Sequence, residues 1–449
     1  MTAALWTDET RIVHPGGFRG GTLSVPGDKS ISHRVALVAG LSRGVSEVRG
    51  FLEAEDCLNT LKAMVAFGAR VWAEEGADGE PVLKIEGTGG KMIEPVGALD
   101  VGNSGTGMRL LAGLCAGNAI RVRLTGDESL SGRPMGRIKK PLELMGAKVT
   151  LAEDGTPPME IEGGGLHSID YCLPVASAQV KSCCLLAGLY ADEVTSVLEP
   201  VPTRDHTERI LAATGAAIKV DGHRISVKGY GAAGPKLAAR TYVVPGDFSS
   251  AAYFLAAAAA IPGVAVRVEG VGLNPRRTAF LDVLRRMGAG VEVEPESGPD
   301  ADWEPRGTIT VFGAVLKGVE VGGEENIPNL IDELPLVAVL GALARGRTVI
   351  RDAAELHVKE SDRIAAMVEN LTAMGVVARA TADGMVVDGP ARISQKRALK
   401  TFGDHRVAMS MAILSIFADC AVAIPRVSCV ATSYPTFWQE LQHLGVTIE

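Results

Sequence analysis

Four segments of the chain place cations where local electrostatics disfavours them. Lys29 and Arg34 in "PGDKSISHR", Arg109 in "GNSGTGMR", Lys181 in "ASAQVK" and Arg406 in "GDHR" each fall at the start of a stretch that reads as an apolar helix. A helix start already presents unpaired N–H groups and the positive end of the dipole, so a cation there is unfavourable unless an anion is bound beside it. Ser30 and Arg34 lie four apart and share one helix face. Taken singly, each basic residue reads as a solvated side chain, but four such starts in one chain point to an anionic ligand. "GDESLSGRPMGR" adds Arg133 and Arg137, and "LHVKESDR" adds Lys359, Glu360 and Arg363. By composition alone these two read as a solvated turn and a helix with surface ion pairs. "IDELP", from Ile331, reads as a helix start with acidic first-turn residues, Asp332 among them.

The elements that would position these residues repeat six times. Each repeat has an apolar helix, a strand, and a second helix that ends in glycine and opens another strand. The glycines are Gly68, Gly146, Gly215, Gly288, Gly375 and Gly445, in segments such as "LKAMVAFGARV" and "VLRRMGAGVEV". Glycine past a helix end supplies a left-handed cap, and the alternation of apolar and polar residues that follows predicts a half-buried strand. The first helices, such as "MRLLAGLCAG" and "VAMSMAILSIFA", are apolar nearly all round, which predicts burial on every face. Six such helices do not fit one core, so the spacing predicts two globes of three units each. A polar, small-residue segment of the kind used for N-caps precedes every first helix. For the uncharged "GDFSSA", from Gly246, capping alone is the expected role.

The composition fits a globular protein, at 47% hydrophobic and 22% charged residues, with aromatics only 4% and 53 glycines, so small aliphatic side chains must fill the cores at close backbone approach. The N-terminal residues show no signal or transit peptide pattern, and the longest apolar run, from Ala251, is too short to span a membrane. A cytoplasmic protein with reduced thiols is expected from seven cysteines without a Cys-x-x-Cys pair. The net charge of −8 leaves no basic stripe for nucleic acid. No His-Glu-x-x-His or paired Cys/His spacing supports a metal, "GNSGTG" is not the dinucleotide fingerprint, and "GTGGKM" departs from a phosphate loop at both ends.

"PGDKSISHR", "GNSGTGMR", "GRPMGR", "VASAQVKS", "IDELP", "VKESDR" and "FGDHR" together resemble the signature segments of the 5-enolpyruvylshikimate-3-phosphate synthase family, in family order over nearly the whole chain. The resemblance implies an α/β fold of two globular domains, each three βαβαββ-type repeats around buried helices, an inside-out α/β barrel. It places residues 1–28 and 245–449 in a first, discontinuous globe and 29–244 in a second, with the active site in the cleft between them. The implied reaction moves the enolpyruvyl group of phosphoenolpyruvate to the 5-hydroxyl of shikimate 3-phosphate and releases phosphate, by addition and elimination, without metal or organic cofactor. A monomer is the expected state. By motif match Lys29, Ser30, Arg34, Ser177, Gln179, Arg204 and Lys359 would hold shikimate 3-phosphate, with Asn103 also in the binding set. Phosphoenolpyruvate would lie against Lys29, Gly105, Arg133, Arg363 and Arg406. Asp332 matches the family's base at the hydroxyl; Glu360 is the choice for the proton at C3, with Lys29 contributing.

Several positions depart from the family pattern. Ala178 stands where many members have a second Ser, Thr432 where many have Lys, and "TRDHT", from Thr203, replaces a Lys-Pro-Tyr type segment. These resemble a divergent bacterial branch. Glyphosate occupies the phosphoenolpyruvate site in this family; Gly105 leaves room for it, while Leu110 stands where sensitive members often carry Pro. Two rivals remain. The sister transferase acting on UDP-N-acetylglucosamine typically carries a Cys in the loop aligned with "GDESLSGRPM", and this chain has none between Cys115 and Cys172. A non-enzymatic, two-lobed anion-binding protein would also explain cations at helix starts, but would ordinarily be exported.

Overall fold

The six glycines that close the second helices all adopt positive φ, between 83° and 107°, a conformation that a side chain would strain. Each follows a short helix within two residues: Glu55–Ala66, Gly136–Leu144, His206–Ala213, Ala279–Met287, Arg363–Ala373 and Phe437–His443. The apolar helices that start the repeats are Lys29–Leu41, Gly105–Gly117, Ala178–Gly188, Phe248–Ala259, Leu334–Leu343 and His405–Ser415, and all are buried nearly throughout. This computed structural model describes residues 9–76, 79–298, 302–323 and 325–449. The first eight residues, part of the N-terminal segment read for targeting signals and of the expected first globe, lie outside the described residues.

Five four-stranded sheets share one pattern, a parallel pair at one edge followed by two antiparallel strands. In one, Leu99–Asp100 runs parallel to Arg121–Thr125, which pairs antiparallel with Met159–Glu162 and that in turn with Lys148–Thr150. The sixth sheet is smaller: Arg11–Val13 pairs antiparallel with Val422–Ile424, and Val13 bridges to Ile448. Among the described residues the sixth repeat thus lacks the hairpin of the other five.

The chain divides into two compact units. One comprises the residues up to Pro26 with Pro245–Glu296 and Pro305–Glu449; the other comprises Gly27–Val244 with Ser297–Glu304. The expected division put all of 245–449 in one globe, whereas Ser297–Glu304 groups with the other unit. In each unit one sheet takes its parallel edge strand from the far end of the sequence. Gly21–Ser24 lies beside Ala265–Gly272 in the first, and Thr241–Val243 beside Val45–Arg49 in the second. The core of the first unit contains Phe248, Phe254, Leu336, Val339 and Ile413; that of the second contains Leu37, Leu111, Leu186 and, from the Ser297–Glu304 segment, Trp303. The first unit's core also holds a cluster of aromatic rings, with Phe437 in contact with Tyr253, Phe254, Tyr434 and Trp438. Among the described residues no helix is long and apolar enough to cross a membrane, and no cluster of three His, Cys, Asp or Glu could hold a metal.

Candidate active site

In the second unit the three buried helices start beside one another. Asp28 caps the first, accepting from the Ile31 N–H at 2.9 Å, and Ser104 caps the second, accepting from the Gly107 N–H at 2.9 Å. Ser177 caps the third, its Oγ accepting from the Val180 N–H at 3.4 Å. Side chains tie these starts together. His33 joins Thr60 (2.8 Å) to the Ser104 hydroxyl (3.3 Å), and Gln179 donates to Thr106 at 2.8 Å while accepting from Arg109 at 2.8 Å. Arg34 spans from the first helix to the third, donating to the Ser30 carbonyl, the Ser182 hydroxyl and the Thr207 hydroxyl at 2.7 to 2.8 Å.

Around this junction lie the expected ligand residues of the second unit. Lys29 pairs with Asp56 at 3.0 Å. Arg133 reaches the Asn103 carbonyl at 3.4 Å, and Asn103 is fixed through Asp127 at 2.9 Å. A Cβ on Gly105 would meet the Arg109 and Arg133 guanidinium groups at about 3 Å, so the glycine keeps open the space those cations border. Burial pulls the Arg34 guanidinium down to about 10, with Glu208 and Asp28 pulling the other way and Arg204 adding to the fall. Burial, helped by Lys29 and Arg34, pulls His33 down to about 3, so its ring is a neutral link between the helices at physiological pH.

The first unit has a second cluster, built on carboxylates. Asp332 lies within reach of three guanidinium groups, Arg406 at 3.4 Å, Arg363 at 3.5 Å and Arg277 at 3.7 Å. Arg363 is fully buried and also holds Glu360 at 2.5 Å and Asp404 at 2.8 Å. Arg406 donates to the Asp332 carbonyl at 3.2 Å. Burial opposes the charge on both arginines, yet neighbouring carboxylates, Asp404 and Glu360 for Arg363 and Asp332 for Arg406, hold them above the ordinary arginine range. Burial likewise opposes the Asp404 carboxylate, and Arg363 keeps it below the usual carboxylate value. Half-buried Lys359 goes the other way: burial lowers it from the ordinary lysine value despite Asp332 nearby.

Two cations singled out in the sequence differ in kind. Arg109 borders the Gly105 space, but Lys181 is fully buried between Glu199 at 3.1 Å and Glu208 at 2.6 Å, so its charge is spent on interior carboxylates. Thr432 turns inward and donates to the Cys429 carbonyl at 2.7 Å. Three contributors were not among the expected site residues. Arg277, in "NPRRTA", ties Asp247 (3.0 Å) and Ser249 (2.9 Å) to the Asp332 neighbourhood. Asp56 pairs with Lys29 and Thr207 with Arg34. A buried arginine beside a helix-capping aspartate is the only signal that could have found Arg277, and it exists only in three dimensions.

The sequence profile of the EPSP synthase (3-phosphoshikimate 1-carboxyvinyltransferase) family matches residues 14–441. A 3-phosphoshikimate 1-carboxyvinyltransferase of Methylococcus capsulatus is 47% identical over 437 residues, covering 97% of both chains. One from Akkermansia muciniphila is 48% identical over 427 residues, covering 94% of this chain and 96% of the relative. Among solved structures, EPSP synthase from Acinetobacter baumannii superposes with a TM-score of 0.83 at 42% identity, covering 98% of this chain and 99% of its own. The enolpyruvyl transferase NikO of Streptomyces tendae shares the fold, with a TM-score of 0.76 at 19% identity, covering 98% and 99%. The two clusters therefore stand on the scaffold of an enolpyruvyl transferase, and the chain belongs to the EPSP synthase (3-phosphoshikimate 1-carboxyvinyltransferase) family.

Proposed function

We propose that Lys29, Asp332 and Glu360 carry the proton transfers of this chain's reaction, and that the arginines around them hold its two anionic substrates. The reaction moves the enolpyruvyl group of phosphoenolpyruvate to the 5-hydroxyl of shikimate 3-phosphate. In the addition step the hydroxyl oxygen bonds to C2 of phosphoenolpyruvate, its proton passes to Asp332, and C3 gains a proton to become methyl. In the elimination step a methyl proton leaves, the C2–C3 double bond re-forms, and the C2–O bond to phosphate breaks with its electron pair on phosphate. Glu360 serves C3 in both directions, and Lys29, beside the substrate phosphates, assists the transfers.

The observation that carries this reading is the Asp332 carboxylate among Arg277, Arg363 and Arg406, with Glu360 held by the same Arg363. Shared cations fix both carboxylates in one orientation, which is what general acid–base work requires. Lys29, Ser30, Arg34, Ser177, Gln179, Arg204 and Lys359 would bind shikimate 3-phosphate, with Asn103 supporting the Arg133 loop. Gly105, Arg133, Arg363 and Arg406 would bind phosphoenolpyruvate together with Lys29. Guanidinium groups suit both ligands because their planar fork matches carboxylate and phosphate. The same proposal includes glyphosate as a competitor for phosphoenolpyruvate, a monomeric state and a cytoplasmic location.

The test is phosphate release from phosphoenolpyruvate with shikimate 3-phosphate or UDP-N-acetylglucosamine as the acceptor. Release is expected with the first and none with the second. No release with shikimate 3-phosphate would overturn the reading.

A further inference from the structure

The first turn of the His206–Ala213 helix sends three successive side chains to buried partners. His206 Nδ1 lies 2.6 Å from Glu304 Oε1, with both side chains about 1% exposed. Thr207 Oγ1 accepts from Arg34 Nε at 2.7 Å and lies 2.7 Å from the Ser182 hydroxyl. Glu208 pairs with Lys181 at 2.6 Å. Arg204 is two residues before His206 in the chain, so this one turn adjoins both arginines assigned to shikimate 3-phosphate.

Glu304 is foreign to the sequence around it. It lies between the strands Gly290–Pro295 and Arg306–Phe312 of the first unit, yet groups with the second. Its two neighbours are anchored as well. Trp303 is buried edge-on against Tyr242, ring centroids 5.5 Å apart, and Asp302 forms a two-pronged pair with Arg240 at 2.8 and 3.1 Å. Three consecutive residues with an ionic, an aromatic and a buried acid–imidazole contact form a fixed anchor. The Glu304 contact is the ring's hydrogen bond on the Nδ1 side, while its Nε2 is buried and has no hydrogen-bond partner among the described residues. The Glu304 charge also acts on Arg34, favouring its cationic form.

We infer that Glu304 is a positioning residue for shikimate 3-phosphate, fixing through His206 the helix turn whose Thr207 orients Arg34. This rests on the assignment of Arg34 to that substrate. Removing the Glu304 carboxylate frees the turn to shift, which loosens Arg34 without touching any residue assigned to phosphoenolpyruvate. By the reciprocity of coupled equilibria, shikimate 3-phosphate must in turn tighten the His206–Glu304 contact.

The experiment measures shikimate 3-phosphate affinity by titration, and KM for each substrate with kcat, in the parent protein and in Glu304→Ala, Glu304→Gln and Arg34→Ala. Glu304→Ala is expected to weaken shikimate 3-phosphate by about tenfold, with the KM for phosphoenolpyruvate unchanged. Glu304→Gln, which can still hydrogen-bond the imidazole, should recover most of that loss. Hydrogen exchange of the parent protein gives an independent reading: shikimate 3-phosphate alone should slow exchange at Trp303 and Glu304. If Arg34→Ala weakens shikimate 3-phosphate but a folded Glu304→Ala does not, the inference is wrong and the site assignment stands. If Arg34→Ala leaves that affinity intact, the assignment itself fails. Should Glu304→Ala not fold, the exchange measurement decides, and unchanged exchange at Trp303 and Glu304 overturns the inference.

Discussion

Asp332 and Glu360 share Arg363, at 3.5 and 2.5 Å, so each carboxylate is held by a group that also orients the other. Replacing either by Ala is expected to lower kcat by about a hundredfold or more, the scale of a lost acid–base group. A folded variant with near-parent turnover would remove that residue from the scheme. His33 carries a different expectation because its role is structural and its charge state is fixed by burial. Its ring takes up a proton in the unfolded chain near pH 6.5 but in the folded protein only near pH 3. The unfolded chain therefore binds more protons across that window, so the stability involved is intact above pH 6.5 and is lost as pH falls, at about 1.4 kcal/mol per pH unit. His33→Gln, which can still bond Thr60 and Ser104, should flatten the decline of urea stability between about pH 6 and 5. Parallel pH profiles for parent and variant would show that His33 does not set this slope.

Sequence pattern revealed the helices and their caps because those depend on local physics: apolarity all round means burial, and glycine after a helix means a left-handed cap. It did not reveal which cation faces which partner. Arg34 and Lys181 look alike on the page, each near the start of an apolar helix, but Lys181 meets Glu199 and Glu208 while Arg34 meets hydroxyls and a carbonyl. Those partners come from other elements, and no spacing along the chain encodes them. The abundance of glycine with few aromatics was legible as close helix packing, and Gly113 shows why it is needed. A Cβ there would stand 2.4 Å from the Cys183 carbonyl oxygen of the neighbouring helix. Alanine in place of a helical glycine ordinarily gains about 1 kcal/mol, whereas overlap with a packed backbone costs about 1–3 kcal/mol. Because a carbonyl of a buried helix cannot rotate away as a side chain would, the overlap wins. Gly113→Ala should lower unfolding stability by up to about 2 kcal/mol; a more stable variant would mean the two helices part easily.

The turn written twice, Val25-Pro26-Gly27-Asp28 and Val244-Pro245-Gly246-Asp247, falls where the chain passes from one unit to the other. The same turn thus precedes a buried helix at both crossings. The excursion that brings Asp302, Trp303 and Glu304 to the second unit left no such trace, because three residues in a connection between strands have no periodicity to read. Both aspartates cap their helices, accepting at 2.9 Å from Ile31 and at 2.8 Å from Ser249, and the next residue is Lys29 in one copy and Phe248 in the other. Lys29 is partly exposed and ion-paired with Asp56, while Phe248 is about 1% exposed in the first unit's core. Equivalent positions should therefore fail in different ways. Lys29→Ala should abolish turnover, with a stability loss limited to leaving Asp56 without its cation. Phe248→Ala should cost about 3–5 kcal/mol of stability, the usual range for a core phenylalanine, and leave phosphoenolpyruvate affinity in the folded protein near that of the parent. Urea denaturation together with phosphoenolpyruvate titration separates the two. A Phe248→Ala protein of full stability that no longer binds phosphoenolpyruvate would show that the second copy of the turn serves the ligand as well.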